Sequence, residues 1–307
     1  MTRDPLFSVI IPSYGRPEFL QAAVDSVLMQ TVEDFECIVV DDATPQPLKV
    51  PTEPRIRIIR RTSNGGGAAA MNTGLERARG RYVTFLDDDD LFTTDRLALA
   101  LEGLGTAPIV ICWGRWIDQR SEAGRILNGD VLGKVHEGMT PHTGTTAVVR
   151  GVAPRFDETF RTVYDVEWWV RAAGVGRVST IPRTGYLNRR HPGHRHLSGK
   201  PERVRDSIRL LNLHAGYFQR YPRAHAFRWR RIGVMARQMG DFKLARAALQ
   251  RAMRLDPELG VLWHWAHSAR RTTGALIEAR QVFQQGEDQR YLRSAVSEAG
   301  PQTPGGE

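Results

Sequence analysis

Residues 81–90 read Arg81-Tyr82-Val83-Thr84-Phe85-Leu86-Asp87-Asp88-Asp89-Asp90, a strand-like segment that passes directly into four aspartates. The first six residues have the length and composition of a buried β-strand. Four like charges at one strand end repel each other unless a cation neutralises them, and carboxylate oxygens suit Mg²⁺ or Mn²⁺. The stretch therefore predicts a strand that carries a divalent metal site at its carboxyl end. The alternative is a solvated acidic turn in which Asp90 or Asp95 caps the next helix.

Strand and helix signals alternate on both sides of this stretch, over residues 1–200. This alternation predicts an α/β fold with a largely parallel sheet covered by helices on both faces. Ligands of such sheets bind beyond the carboxyl ends of the strands. The predicted strands are residues 6–12, 35–40, 56–60 and 81–86, and the predicted helices are residues 17–29 and an Ala-rich segment ending near Arg79. Polar clusters follow the strands at Ser13-Tyr14, Asp41-Asp42, Asn64 and Asp87-Asp88-Asp89-Asp90.

The strand pattern stops near residue 200, and helical periodicity replaces it. Residues 228–240 and 241–254 are predicted to form two amphipathic helices joined at Gly240-Asp241. A 34-residue period relates Trp229, Gly233, Gly240, Ala245, Leu249 and Ala252 to Trp263, His267, Gly274, Ala279, Phe283 and Gly286. The pattern resembles a tetratricopeptide repeat, with one copy at residues 226–259 and a degraded copy at 260–293. We therefore expect a separable helical domain at residues 201–297, with Trp229, Leu249 and Leu255 in its own core, and a disordered tail at 298–307.

The net charge of +9 is concentrated in the C-terminal third. Residues 1–200 hold 25 Lys and Arg against 24 Asp and Glu, whereas residues 201–307 hold 18 against 10. Peripheral contact with an anionic membrane and an ordinary solvated helical surface are both consistent with this charge. No nucleic-acid-binding motif accompanies it, so we exclude nucleic acid as a partner.

Neither a membrane span nor a disulfide is predicted. No apolar run approaches the roughly 18 residues that a spanning helix needs. The two cysteines, Cys37 and Cys112, each lie within a strand-like apolar run, which is typical of buried reduced thiols. We therefore expect a cytoplasmic protein, with membrane association left open.

Four segments taken together resemble the inverting glycosyltransferases of family 2. They are residues 8–17, Val40-Asp41-Asp42-Ala43-Thr44, Asn64 with Ala70-Met71-Asn72, and residues 85–91, and the likeness extends over about residues 6–200. The resemblance implies the GT-A fold at residues 1–200, a mixed, mostly parallel sheet flanked by helices, followed here by an all-α region. It also implies transfer of a sugar, with inversion, from a nucleotide-diphosphate sugar such as a UDP-sugar.

The resemblance assigns donor-side roles to individual residues. Tyr14, beside Pro12, would lie against the base of the donor, and Asp42 would hydrogen-bond to that base, usually uracil. Asp89 and Asp87 would hold the metal, with Asp87 and Asp88 near the ribose. The predicted donor-binding residues are Pro12, Tyr14, Arg16, Asp42, Asn64, Asn72, Asp87, Asp88 and Arg190, and the predicted ligands of Mn²⁺ or Mg²⁺ are Asp89, Asp87 and His191. A turn aromatic packed on the core and a turn cap are the structural alternatives for Tyr14 and Asp42.

A second set of motifs, Phe156-Asp157-Glu158 and residues 164–171, resembles the acceptor side of the family. The resemblance implies that Asp165 is the general base that deprotonates the acceptor hydroxyl, with Glu167 as the second candidate. Because Asp165 stands at the start of a predicted helix, a simple N-cap is the alternative. Of the adjacent Trp168 and Trp169 we expect only one in the core, which leaves the other for packing or for stacking on a sugar.

Residues 188–196, after a short strand at 185–187, resemble the closing arginine–histidine segment of the family. The likeness implies that His191 ligates the metal or contacts phosphate, and that Arg189 or Arg190 pairs with charge. A flexible basic loop is the alternative. Two positions depart from the family pattern, because Met71 replaces a common arginine and Tyr164 replaces a glutamate. The donor nucleotide and the recognition of the acceptor therefore stay open.

The expected partners are a nucleotide-sugar donor and a saccharide, lipid-linked or peptide acceptor. The helical region would then be an acceptor-binding, membrane-proximal or homodimer-forming module. A dinucleotide oxidoreductase is excluded because Pro12-Ser13-Tyr14 stands where its glycine-rich turn is required. The competing hypothesis is a catalytically silent GT-A scaffold that acts as an adaptor through its helical repeats.

Overall fold

The computed structural model of the chain describes residues 3–119, 124–190 and 201–257. The strands of this part are β1 (Phe7–Ser13), β2 (Phe35–Asp41), β3 (Ile56–Arg60), β4 (Tyr82–Phe85), β5 (Leu91–Phe92), β6 (Ile109–Trp116), β7 (Thr146–Val149) and β8 (Val178–Asn188). Its α-helices are α1 (Pro17–Leu28), α2 (Gly67–Arg77), α3 (Arg96–Leu104), α4 (Tyr164–Ala172), α5 (Pro201–Leu213), α6 (Ala215–Arg220), α7 (Pro222–Gln238) and α8 (Phe242–Leu255). The strands predicted before residue 90 are thus confirmed to within one or two residues.

All these strands join one mixed sheet in the order β3-β2-β1-β4-β7-β6-β8-β5. Strands β3, β2, β1 and β4 run parallel, β7 runs antiparallel between β4 and β6, and β8 is parallel to β6. This arrangement confirms the predicted GT-A fold class. Ser13 pairs in register with Asp41, and Ile10 pairs with Phe85. The carboxyl ends of β1, β2 and β4 therefore meet at one edge of the sheet.

Apolar cores cover both faces of the sheet because successive strand side chains point in opposite directions. Along β1, Ile10 faces the core under α2 and α4, whereas Val9 and Ile11 face the core under α1 and α3. Strands buried on both faces read as continuous apolar runs, which explains the strand signal in the sequence.

Trp168 and Trp169 of α4 are both fully buried. Trp168 stacks on Phe156 with ring centroids 5.7 Å apart, and Trp169 meets Trp168 edge-on at 5.3 Å. The expectation that one of these indoles stays outside the core is therefore wrong. Both indoles belong to the apolar cluster that α4 forms with the sheet and α2.

Helices α5 to α8 pack on α4 through a third apolar core. Side chains before and within α4 contribute to it, including Phe160, Val166 and Val170, and they meet Val204, Leu210, Phe218, Ile232 and Met235 from the later helices. The described helices thus share their core with α4, unlike the separate core predicted for residues 201–297. Leu249 is buried as expected, whereas Trp229 and Leu255 are only partly buried. The proposed boundary near residue 200 and the tail at 298–307 fall outside the described residues.

Helices α7 and α8 form a hairpin that turns at Gly240, whose φ is +80°. The Asp241 side chain caps α8 by accepting a hydrogen bond from the backbone N–H of Leu244 at 2.9 Å. Gly233 allows the helices to approach closely, because a Cβ there would lie 2.7 Å from Leu249 Cγ. The first predicted repeat, 226–259, falls mostly on this hairpin, and the second, 260–293, lies outside the described residues. The tetratricopeptide likeness and the homodimer contact stay predictions.

Two further expectations concern thiols and membranes. Cys37 and Cys112 are buried free thiols, as predicted, and burial raises the pKa of Cys37 to about 12. Among the helices of residues 3–119, 124–190 and 201–257, none has both the length and the apolar character needed to cross a bilayer.

His136 is a buried histidine that joins the segment after α3 to the later helices. Its ring contacts Tyr217 at 5.6 Å and Phe218 at 6.1 Å between centroids, and its Nδ1 pairs with the Thr140 hydroxyl at 3.3 Å. Burial lowers the pKa of His136 well below its usual value, and the nearby positive charge of Arg228 adds to the effect. The folded protein therefore keeps this ring neutral at a pH where the unfolded chain protonates it.

We expect this difference to make the free energy of unfolding depend on pH. Stability is fully present above the unfolded-state pKa of about 6.5 and falls as the pH drops below it, with a slope of up to about 1.4 kcal/mol per pH unit. Urea unfolding between pH 7.5 and 5 measures this slope. The His136→Phe variant keeps an aromatic ring but cannot be protonated, so its slope should be smaller. Equal slopes for the two proteins would contradict the prediction.

Candidate active site

Three carboxylates converge immediately after β4. Asp87, Asp89 and Asp90 each offer an oxygen atom, and these oxygens lie within 4.8 Å of one another. Asp89 and Asp90 are buried, and Asp87 is partly exposed. An oxygen-only set of this size fits Mg²⁺ or Mn²⁺, and the open side of Asp87 leaves room for phosphate oxygens. The run of four aspartates was the sequence signal for this cluster, although Asp90 was not predicted as a ligand.

Asp88 points away from the other three, towards the end of β1. Its Oδ2 accepts a hydrogen bond from the Ser13 hydroxyl at 2.6 Å, and its Oδ1 pairs with Arg16 at 2.5 Å. The same guanidinium also forms an ion pair with Asp89. Burial raises the pKa of Asp88 to about 6, although Arg16 and Ser13 oppose the rise. Arg16 therefore competes directly with a metal ion for Asp89.

His142 is a partner of the cluster that sequence reasoning missed. Its Nε2 lies 3.5 Å from Asp87 Oδ2, and its Nδ1 accepts a hydrogen bond from the backbone N–H of Gly144 at 3.2 Å. The neutral ring then carries its proton on Nε2, facing Asp87. Burial raises the pKa of Asp87 to about 7, with His142 opposing the rise and Asp90 adding to it. The neighbouring positive charge therefore does not offset the burial of these carboxylates, and a divalent ion would supply more.

Arg189, which follows directly after β8, contacts the segment of four aspartates. Its backbone N–H donates to Asp90 Oδ1 at 2.8 Å, and its Nε donates to the Asp89 carbonyl at 2.6 Å. Tyr186 holds the other Asp90 oxygen at 2.7 Å. Arg190, the arginine predicted to bind the donor, instead lies over the Trp116 ring at 4.7 Å, and its donor contact stays a prediction. His191, the third predicted metal ligand, lies outside the described residues.

Asp42 fixes the glycine turn that precedes α2. Its two oxygens accept hydrogen bonds from the backbone N–H groups of Gly65 and Gly66 at 3.0 and 2.7 Å, and Arg61 pairs with it at 2.8 Å. Asn64 donates to the Asp42 carbonyl at 3.3 Å. The turn-capping role is therefore present, and the predicted contact of Asp42 with a base would use the remaining lone pairs.

Tyr14 and Asn72 differ in how available they are to a ligand. Tyr14 follows β1 and is 36% exposed, so its ring is not packed in the core and has a free face for stacking. Pro12, also predicted at the donor site, is partly buried within β1. Asn72 is buried, and its amide accepts from the Phe156 N–H and donates to the Phe156 carbonyl and to Glu158. The structure gives Asn72 an internal role, and its predicted donor contact stays untested.

Asp165 is the second residue of α4, and it does not cap the helix. The N-cap is Val163, whose φ of +51° is strained for a β-branched residue. Asp165 is partly buried and makes no hydrogen bond or ion pair with any residue in the described part of the chain. A carboxylate at the first turn of a helix is stabilised by the helix dipole. No described residue therefore occupies the carboxylate of Asp165, so its oxygens are available to a substrate.

Tyr164 is the first residue of α4, directly before Asp165. Its hydroxyl abuts the start of α2, since a Cβ at Gly67 would lie 2.6 Å from the phenol oxygen. Burial raises the pKa of Tyr164, and the negative charges of Asp87 and Asp165 add to the rise. Asp87 and Asp165 are therefore both close enough to the Tyr164 hydroxyl for their charges to act on it.

Glu167, the second predicted base, is buried, and both oxygens of its carboxylate have partners. Arg171 donates to both of its oxygens at 2.7 and 2.5 Å, and His214 Nε2 lies 3.1 Å from Oε1. Burial by itself would raise the pKa of Glu167, but the hydrogen bonds from Arg171 and His214 outweigh it and the pKa is lowered. This ion pair links α4 to α5 and α6 through His214.

The sequence model for glycosyl transferase family 2 matches residues 8–161, half of the chain. The chain belongs to this family. Among curated proteins, it is 42% identical over 92 residues to the uncharacterized glycosyltransferase EpsJ of Bacillus subtilis (strain 168), which covers 28% of this chain and 26% of that protein. The matches span less than half the length of the curated relatives, 17% and 41% in two others.

Solved structures share the fold. TarS 1-349 of S. aureus in complex with UDP-GlcNAc has a TM-score of 0.60 at 18% identity, covering 91% of this chain and 92% of that one. The mannosyltransferase PcManGT from Pyrobaculum calidifontis, in complex with GDP-Man and Mn²⁺, has a TM-score of 0.54 at 19% identity, covering 97% and 85%. At these identities the likeness concerns the fold alone.

Proposed function

We propose that the protein transfers a sugar, with inversion, from a nucleotide-diphosphate sugar to a hydroxyl or another nucleophile of a saccharide, lipid-linked or peptide acceptor. The observation that carries the proposal is the convergence of Asp87, Asp89 and Asp90, whose carboxylate oxygens lie within 4.8 Å of one another after β4. The carboxylate of Asp165, at the start of α4, supplies the candidate base. Membership of glycosyl transferase family 2 supports the same reaction class.

The acidic cluster would hold Mn²⁺ or Mg²⁺ through Asp89 and Asp87, with Asp90 beside them. Such an ion supplies positive charge that stabilises the leaving nucleoside diphosphate. Arg16 would release Asp89 and keep its ion pair with Asp88. The remaining contacts hold the site in place, with His142 orienting Asp87 and with Tyr186 and Arg189 orienting Asp90.

Asp165 would act as the general base. It accepts the proton of the acceptor hydroxyl as that oxygen bonds to the anomeric carbon and the bond to the diphosphate breaks. Glu167 is excluded from this role in our proposal, because Arg171 and His214 already occupy its carboxylate. The Glu167→Gln variant should therefore affect stability more than the rate of transfer.

A panel of nucleotide sugars with Mn²⁺, assayed for slow release of nucleoside diphosphate without an acceptor, tests the proposal. Turnover of one donor that depends on the metal is the expected result. If no donor is bound or hydrolysed, the catalytically silent adaptor is favoured instead. The Arg16 ion pair with Asp89 is the observation that keeps this second candidate in consideration.

We expect UDP to bind more tightly than GDP or dTDP, with Tyr14 stacked on the base and Asp42 hydrogen-bonded near it. The exposed ring of Tyr14 and the fixed position of Asp42 support this expectation, as does the TarS complex with UDP-GlcNAc. Calorimetry in the presence of Mn²⁺ measures the three affinities. Stacking on an aromatic ring is worth roughly 1–3 kcal/mol per base, so Tyr14→Ala should weaken UDP binding about 5- to 160-fold. Tighter binding of GDP or dTDP than of UDP would contradict the prediction.

A further inference from the structure

A cavity of about 170 Å³ lies beside the acidic cluster, where β6 and β8 approach their carboxyl ends. Its lining includes residues 111–114 of β6, residues 139–142 of the loop before β7, and Asn188 at the end of β8. His142 is part of this lining, and its Nε2 also lies 3.5 Å from Asp87 Oδ2. The cavity and the acidic cluster therefore share the His142 ring as a wall.

The order of the strands places this cavity on the far side of the cluster from the predicted base site. Tyr14 and Asp42 directly follow β1 and β2, whereas the acidic cluster follows β4. In the sheet, β4 lies between β1 and the strands β7, β6 and β8, and the carboxyl ends of β6 and β8 lie at the same edge as that of β4. A nucleotide sugar has the order base, ribose, diphosphate and sugar. With its base at β1 and β2 and its diphosphate at the cluster, its sugar reaches the side of β6 and β8.

The lining combines apolar surface with neutral hydrogen-bonding groups. Trp113 and Met139 contribute apolar side chains. The Asn188 Nδ2 donates to the Arg115 carbonyl at 3.2 Å, and its Oδ1 accepts no hydrogen bond from residues 3–119, 124–190 or 201–257. A sugar ring presents C–H groups on its faces and hydroxyls at its rim. Aromatic and apolar walls with a few polar groups suit such a ligand.

The charges around the cavity disfavour an anionic ligand. Among the described residues that line it, Arg125 alone carries a fixed positive charge. Its Nη1 and Nη2 already donate to three backbone carbonyls at 2.7 to 3.3 Å. Asp87, on the other side of His142, would repel a carboxylate. Burying an anion without a paired cation is costly, so these surroundings favour a neutral ligand.

We propose that this cavity binds the sugar that is transferred, and that this sugar is a single neutral ring. The inference rests on the proposed transferase function and adds the class of the donor sugar. The cavity is smaller than the roughly 300–1,000 Å³ of a pocket for a drug-sized ligand, so one ring fits it better than a disaccharide. Gly114 helps to set its size. A Cβ there would lie 3.2 Å from Thr145 Cγ2 and 3.7 Å from Asn188 Nδ2, and both of those residues line the cavity.

Calorimetry on the full chain with Mn²⁺ tests the inference in two steps. The first step titrates UDP and GDP, and failure of both to bind would contradict the proposed function and this inference together. The second step compares derivatives of the tighter nucleotide that carry glucose, galactose, mannose, N-acetylglucosamine or glucuronic acid. We expect at least one neutral derivative to bind at least about 10-fold more tightly than the glucuronic acid derivative. Equal or tighter binding of the glucuronic acid derivative would overturn the inference while the proposed function stands.

Two variants and a control connect this selectivity to the cavity. Gly114→Ala should weaken the preferred nucleotide sugar about 5- to 160-fold, because its methyl group takes space from the ring. Asn188→Ala should weaken it about 2- to 12-fold through the loss of a hydrogen bond. The affinity for the nucleoside diphosphate alone should stay unchanged in both. Gly105→Ala is the matched control, since Gly105 has a φ of −70° and no atom within 4 Å of an added Cβ.

Thermal unfolding shows whether each variant is folded, and Asn188→Ala carries the test if Gly114→Ala is not. The inference is overturned if the folded variants bind the nucleotide sugar like Gly105→Ala. It is also overturned if they weaken the nucleoside diphosphate as much as the nucleotide sugar. A higher KM for the acceptor with an unchanged affinity for the nucleotide sugar would assign the cavity to the acceptor instead, and this result too would overturn the inference.

Discussion

Asp89→Asn should lower the rate of glycosyl transfer on the order of 10³-fold, because it removes a charged ligand from the metal cluster. Asparagine keeps the shape of the side chain but offers only a neutral oxygen, so both metal affinity and donor affinity should fall. Excess EDTA should have the same effect on the wild-type protein, and added Mn²⁺ or Mg²⁺ should restore activity. Donor turnover at increasing metal concentration measures both effects.

Asp130→Asn is the matched control for this change. Asp130 lies at an exposed turn far along the chain from the cluster, and its Oδ1 accepts from the Leu132 N–H at 3.0 Å. Asparagine can keep that bond, so this variant should behave like wild type. The melting temperature of Asp89→Asn should also stay within a few degrees, since losing the Arg16 pair is offset by relief of repulsion among the aspartates. Full turnover in EDTA, or a fully active Asp89→Asn variant, would contradict the metal site.

Much of the fold follows from local sequence signals. Strand β3 was predicted residue for residue, and β1 and β2 end one residue later than predicted. Apolar runs that end in polar residues mark such strands without any long-range information. The acidic cluster was found for the same reason, because all four aspartates are adjacent in the chain.

Contacts between distant segments could not be found in this way. His142 lies 55 positions after Asp87, and Arg189 lies 100 positions after Asp89, and no motif connects them. The two tryptophans of α4 were misjudged because adjacent residues of a helix point in different directions and are expected to meet different surroundings. Here the cluster on the sheet side of α4 takes in both indoles, whereas the later helices cover Val166 and Val170. The amphipathic pattern of α4 gives no sign of this second layer, which depends on how α5 to α8 pack.

Asp165→Asn should leave the binding of metal and donor nearly unchanged but slow transfer by about 10²- to 10⁴-fold, the usual effect of losing a positioned base. Val163 rather than Asp165 is the N-cap of α4, so the experiment does not mix a capping effect with a catalytic one. Asparagine therefore removes no capping hydrogen bond, and the helix should remain stable. Single-turnover kinetics with saturating metal and donor isolates the effect on the chemical step.

Glu167→Gln gives the comparison that separates the two candidate bases. It should reduce thermal stability by weakening the ion pair with Arg171 and the contact with His214, while transfer by the folded fraction stays within a few-fold of wild type. If Glu167→Gln carries the catalytic defect and Asp165→Asn does not, the two assignments are reversed. If neither variant slows the chemical step, the proton leaves by another route and our assignment of the base is wrong. A defect confined to Asp165→Asn, with donor hydrolysis in water affected less than transfer to an acceptor, is the result that we expect.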